Sequence, residues 1–224
     1  MDRLHRITLL LGNDAISKLK KSTVMVVGCG AVGSFAVETL ARSGVGHLIL
    51  VDFDKVEESN INRQLFALGS TVGQSKVDIA RQRILDINPD IKVDVYNTFF
   101  DENTRIDIKP DFVIDAIDTV ASKIALYKWC VDNKIDFISS MGAARKTDIT
   151  KIKIDKISKT TVCPLASKIR RIVRDMKISD FPVVYSTENA TPQENGGREF
   201  GSIITVTGMF GLMLADFVIK KLSL

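Results

Sequence analysis

Thr23-Val24-Met25-Val26-Val27 is an almost wholly apolar, β-branched run, and His47-Leu48-Ile49-Leu50-Val51-Asp52 is a second. Strands buried on both faces, as in a parallel sheet, show such continuous runs rather than alternation. The stretch between them has helical periodicity through Ala41 and stops at Ser43-Gly44, so residues 23–52 predict a strand–helix–strand unit. The same reading places strands at 92–96, 112–116 and 136–140. It places helices at 75–87, stopped by Asn88-Pro89, and at 121–133. Strand–helix alternation of this kind predicts a Rossmann-like, doubly wound α/β fold: a mainly parallel sheet with helices on both faces.

After Met141-Gly142 the pattern changes. Residues 149–154 alternate apolar and polar and predict a half-exposed strand; 165–177 predict a helix, 181–186 a strand, and 187–198 a polar loop containing Gly196-Gly197. Residues 203–219 are mostly apolar, but Thr205, Thr207 and Asp216 interrupt them and the run is short for a membrane span. A helix apolar all round suits a core or a subunit interface. Residues 1–224 therefore read as one domain, an α/β part at 1–142 followed by a C-terminal extension at 143–224 with no internal repeat.

Composition narrows this picture. With 45% hydrophobic and 26% charged residues the chain has the makeup of a soluble globular protein, and its N-terminus lacks the apolar run of a signal peptide. Cys29, Cys130 and Cys163 form no CxxC pair, which argues against a structural zinc site and for a reduced, cytoplasmic setting. The net charge of +4 is unevenly spread: residues 145–177 hold eleven Lys or Arg against three Asp. On a helical wheel Leu165, Ile169, Ile172, Val173 and Met176 share one face, and Arg170, Arg171, Arg174 and Lys177 the other. A polyanion such as RNA would suit that basic side, although a solvated face has the same appearance.

The first strand runs straight into Gly28-Cys29-Gly30-Ala31-Val32-Gly33, and Asp52 follows Gly33 by 19 residues at the end of the second strand. A glycine loop there lets backbone N–H groups approach a phosphate, and the acid can bind a ribose hydroxyl. The loop alone does not distinguish NAD or FAD from ATP.

Three further stretches do. Asp52-Phe53-Asp54-Lys55-Val56-Glu57-Glu58-Ser59-Asn60-Ile61-Asn62-Arg63-Gln64 is followed by Gly73-Gln74-Ser75-Lys76 and Asp115-Ala116-Ile117-Asp118. In these motifs the chain resembles the ubiquitin-activating-enzyme-like family, which includes the adenylyltransferases of thiamine and molybdopterin synthesis. The resemblance implies ATP and Mg²⁺. Nucleotide contacts would come from Gly28, Gly30, Gly33, Asp52, Asp54, Asn60, Arg63, Gln64, Lys76 and Asp118, with Asp118 holding the metal. Arg63, Lys76 and Asp118 would carry catalysis. Attack of a carboxylate on an α-phosphate brings two anions together, so a site of cations plus one metal-binding acid has the required character. The family resemblance also implies a homodimer, with Arg6 reaching into the partner's site, and admits a sulfur-transfer protein as a further partner.

From Met141 onward the resemblance is to the tRNA threonylcarbamoyladenosine dehydratases. It is carried by Gly142-Ala143-Ala144, Asp155-Lys156-Ile157-Ser158-Lys159-Thr160, Pro164-Leu165-Ala166-Ser167-Lys168-Ile169-Arg170 and Val184-Tyr185-Ser186-Thr187-Glu188. It implies a tRNA substrate, with Arg145, Lys146, Lys168, Arg170, Arg171 and Arg174 as candidate contacts. The threonyl carboxylate would be adenylated, and the neighbouring carbamoyl nitrogen would close a ring. Intramolecular closure needs no relay thiol, and Cys163 is the one cysteine positioned for such a role. Other readings remain open: activation of a Gly-Gly carboxylate on a ubiquitin-like sulfur carrier, an NAD-dependent oxidoreductase, or a nucleotide-binding scaffold without activity.

Overall fold

The computed structural model describes residues 2–192 and 200–224. Seven strands form one sheet: β1 (Thr23–Val27), β2 (His47–Val51), β3 (Lys92–Tyr96), β4 (Phe112–Asp115), β5 (Asp136–Ser140), β6 (Ile152–Lys156) and β7 (Pro182–Ser186). Their order is β3-β2-β1-β4-β5-β7-β6. Every pairing is parallel except β6 with β7, so the extension adds an antiparallel edge to a parallel sheet.

The helices among the described residues are α1 (His5–Leu11), α2 (Asn13–Lys21), α3 (Gly33–Arg42), α4 (Lys76–Ile87), α5 (Val120–Asp132), α6 (Pro164–Asp175) and α7 (Ile204–Ser223). Side chains alternate across a strand, and β1 feeds both cores in this way. Val24 and Val26 join one cluster with Leu40 of α3, Val77 of α4 and Phe210 of α7. Met25 and Val27 join the other with Leu126 of α5 and Ile169 of α6. Burial on both faces explains why Val24–Val27 of β1, Leu48–Val51 of β2 and Phe112–Ile114 of β4 are apolar without interruption. Edge strand β3 is only half-buried and accordingly contains Lys92 and Asp94.

The apolar run at 203–219 is accounted for by packing. α7 lies against α3, and a Cβ on Gly211 would stand 2.3 Å from the Val32 carbonyl oxygen, so close approach requires glycine there. The neighbouring Phe210 is fully buried in the core on this face; truncating it to Ala would cost about 3–5 kcal/mol. No helix among the described residues is long and apolar enough to cross a membrane.

One local expectation changes. Residues Ile149–Lys151 form a 3-10 turn, because the Asp148 carboxylate accepts the Thr150 N–H at 2.8 Å, and the strand starts only at Ile152. α1 and α2 precede the first strand and lie outside the strand–helix alternation. α2 anchors itself by burying Ile16 and Leu19. The polar loop expected at 187–198 falls partly outside the described residues.

Candidate functional site

The C-terminal ends of β1, β2, β4 and β5 open into one cavity of about 690 Å³, large enough for a nucleotide and a second reactant. Its floor is the glycine loop. Gly28 has φ 93°, and a Cβ on Gly33 would sit 1.7 Å from the Gly28 carbonyl oxygen, so the loop folds tightly onto the start of α3. Gly30 faces the opening: a Cβ there would meet only Gln64, at 3.8 Å. Gly28 and Gly30 line the cavity, whereas Gly33 serves the packing beneath it.

Asp52 ends β2 and pins the loop. Its carboxylate accepts the Cys29 N–H at 2.6 Å and the Asp54 N–H at 2.8 Å. Burial raises its pKa from the ordinary carboxylate range, against those two bonds. Lys76 opens α4, is buried, and its ammonium donates to Asp54 at 2.8 Å. Asn60 is also buried and accepts the Glu57 N–H at 3.2 Å, which stabilises the turn that presents Arg63 and Gln64. Arg63 donates to the Ser59 carbonyl at 2.8 Å and the Asn62 side chain at 2.9 Å through one nitrogen of a group with five N–H donors. Asp118 is exposed on the loop after β4, and Asp52, Asp54, Asn60, Arg63, Gln64, Lys76 and Asp118 all line the cavity.

Among the described residues, no group of three or more His, Cys, Asp or Glu could hold a metal ion. A magnesium ion bound with a nucleotide needs only one or two carboxylates, because phosphates and water complete its shell. An exposed Asp118 at the cavity fits that requirement.

The opposite wall is built by the extension. Arg145 takes a left-handed φ of 60°. Its backbone N–H donates to Gly201 and its guanidinium to the Thr191 carbonyl, both at 2.8 Å, and the guanidinium lies 5.9 Å from the Phe200 ring centroid. Lys146 is buried and donates to the Glu188 carbonyl, while the Glu188 carboxylate accepts the Thr147 and Asp148 N–H groups. The grouping of Arg145 and Lys146 with the basic helix therefore changes, since both line the cavity above the glycine loop.

Lys168, Arg171 and Arg174 are exposed on α6 and line a second groove of about 820 Å³. Arg170 also lines that groove but is half-buried. It is tied to Thr160, donating to its carbonyl at 2.7 Å and its hydroxyl at 2.6 Å. Pro164 lines both openings, so the groove adjoins the cavity there. Cys163 caps α6, accepting the Ala166 N–H at 3.5 Å, and is buried against the cavity.

A model of the ThiF family matches residues 2–224. The chain belongs to the ThiF family. The tRNA threonylcarbamoyladenosine dehydratase of Bacillus subtilis (strain 168) is 48% identical over 193 residues, covering 84% of this chain and 76% of the relative. Its namesake from Escherichia coli (strain K12) is 34% identical, covering 95% of this chain and 90% of the relative. The crystal structure of the E. coli dehydratase in complex with AMP superposes with a TM-score of 0.92 at 34% identity, covering 98% of this chain and 93% of that one. The corresponding complex with ATP gives 0.91.

In this ThiF-family chain Arg6 is exposed on α1 and does not line its own chain's cavity. One further buried group lies close to the cavity. Lys123, fully buried on α5, forms a 2.7 Å ion pair with Asp115, whose carboxylate further accepts from Tyr127 at 2.9 Å and Ser139 at 2.5 Å. A lysine on the same helical face as Leu126 and Tyr127, at i+3 and i+4, was the one signal that marked it.

Proposed function

We propose that this chain dehydrates threonylcarbamoyladenosine in tRNA at the expense of ATP. Gly28, Gly30, Asp52, Asn60, Arg63, Lys76 and Asp118, although scattered in sequence, line one cavity whose other wall carries Arg145 and Lys146; this convergence supports the reading most directly. A carboxylate oxygen of the threonyl group attacks the α-phosphorus, a new O–P bond forms, and pyrophosphate leaves. The carbamoyl nitrogen then attacks the activated carbonyl carbon and loses its proton as AMP departs, so the nucleoside loses one water in all. The attacking carboxylate is ionised near neutral pH and needs no base. Arg63 and Lys76 offset the charge that accumulates on phosphate. Asp118 would hold Mg²⁺, which supplies Lewis-acid stabilisation of the phosphates when bound.

Arg145 and Lys146 would bind the substrate carboxylate end, and Phe200 beside Arg145 supplies an aromatic surface suited to an unstacked base. The exposed cations of α6 would follow the RNA backbone. Arg6 would complete the site of a second copy. Leu9 and Leu10 of α1, 71% and 80% exposed, and Leu212 of α7 are apolar surface that a homodimer would cover. Mass spectrometry of tRNA nucleosides after incubation with ATP tests the reading. The expected result is loss of one water that depends on ATP and is abolished by Asp118→Asn. Unchanged nucleoside alongside adenylation of a Gly-Gly carboxylate would overturn the substrate assignment.

A further inference from the structure

β4 and β5 cease to pair at Asp115 and Ser139. Beyond that point the two chains part. The Ala116 N–H bonds the Val27 carbonyl of β1 at 2.9 Å, whereas the Met141 N–H bonds the Val184 carbonyl of β7 at 2.8 Å. The loop leaving β4 carries Asp118 and the loop leaving β5 leads to Arg145, so opposite walls of the cavity diverge from this fork.

One side chain spans the fork. Lys123 is fully buried, and its ammonium donates to Asp115 at 2.7 Å, to the Ser140 carbonyl at 2.7 Å and to the Ser139 hydroxyl at 3.3 Å. Those bonds use all three of its donors. The second oxygen of Asp115 accepts the Ile117 N–H at 3.0 Å, so the same carboxylate shapes the turn one residue before Asp118. A buried ion pair is rarely more stabilising than well-packed apolar side chains of equal volume. Stability alone is therefore a weak reason for this pair, and its position at the fork is a specific one.

We propose that Lys123 is a positioning residue that holds the Asp118 loop and the loop after β5 at a fixed separation, and with it the span between phosphates and substrate carboxylate. The inference rests on the adenylation reading for its consequence, not for its geometry. A misplacement of about 1 Å between reacting groups can cost about 100-fold in rate.

Lys123→Met alone would strand a buried charge, so the test pairs it with Asp115→Asn, whose amide oxygen still accepts from Ile117. In the full-length double variant, kcat for AMP formation should fall about 100-fold. The dissociation constant for ATP should stay within about threefold, and the amides of residues 141–144 should exchange faster with deuterium. Tyr127→Phe removes a hydroxyl from the same carboxylate but leaves the Lys123–Ser140 bond, and should keep kcat. Should that double variant fail to fold, the neutral polar pair Lys123→Gln with Asp115→Asn, in which the glutamine is one bond too short to span the fork, gives the same readings. Unchanged exchange at 141–144 with unchanged kcat would overturn the role, as would equal kcat losses in Tyr127→Phe. Absence of pyrophosphate exchange in the unsubstituted protein would instead count against adenylation, and the ATP-affinity and deuterium-exchange measurements would still decide whether Lys123 ties the loops.

Discussion

Substituting Lys76 should separate an effect on catalysis from one on stability. Its buried ammonium bonds Asp54 at 2.8 Å, and the Asp54 side chain is 45% exposed. Lys76→Met keeps most of the packed stem and deletes the charge. The carboxylate left behind reaches water, so the fold should lose the value of a partly exposed pair, about 1 kcal/mol. For a chain of this size that is a fall in Tm of about 2–4 °C. The transition state should lose far more. A unit charge 4 Å from a phosphate oxygen at an effective dielectric constant of 20 contributes about 4 kcal/mol. Removing one preorganised partner of developing charge lowers kcat by about 100- to 1,000-fold. Thermal denaturation and tRNA-stimulated ATP–pyrophosphate exchange, run on one preparation, measure both quantities. A folded Lys76→Met protein with near-normal exchange would refute the electrostatic role. So would activity lost only in proportion to the unfolded fraction.

Arg171→Glu with Arg174→Glu should weaken tRNA binding and flatten its salt dependence by about one unit of log–log slope for each phosphate no longer neutralised, with ATP affinity unchanged; an unaltered slope in filter binding would remove α6 from the RNA path. Arg170 is left out of that pair because it holds Thr160, and its loss would disturb the fold as well. Mixing Arg6→Ala with Asp118→Asn subunits should restore one working site per heterodimer although neither homodimer works, and verified heterodimers without activity would show that Arg6 does not act across subunits. Burial opposes ionisation of Glu38, but hydrogen bonds from Arg83 and Arg42 outweigh it and hold the carboxyl below its ordinary range. That contribution is present above the unfolded-state pKa and is lost as pH falls through the lower folded value. Arg83→Met should therefore cost about 1 kcal/mol or less near neutrality and reduce the acid-side loss of stability in urea titrations; an acid limb as steep as that of the unsubstituted protein would contradict this account.

The strands and helices of the parallel sheet were legible in sequence because burial on both faces leaves continuous apolar runs, and because glycine and proline mark where each element ends. The nucleotide motifs were legible for a related reason. A phosphate-binding turn needs glycines at fixed offsets, and Asp52 must follow one strand later, so these constraints are local or nearly so. α1 and α2 were missed because they stand outside that alternation and expose most of their surface. Tertiary structure alone separated the basic residues of the extension. Arg145 and Lys146 joined the cavity, Arg170 became a tie to Thr160, and Lys168, Arg171 and Arg174 stayed in the outer groove, since a charge run records composition and not direction. The same limit hid Lys123. Whether a lysine is solvated or bridges two diverging strands depends on partners brought together from β4, β5 and α5, and their meeting is a property of the folded sheet.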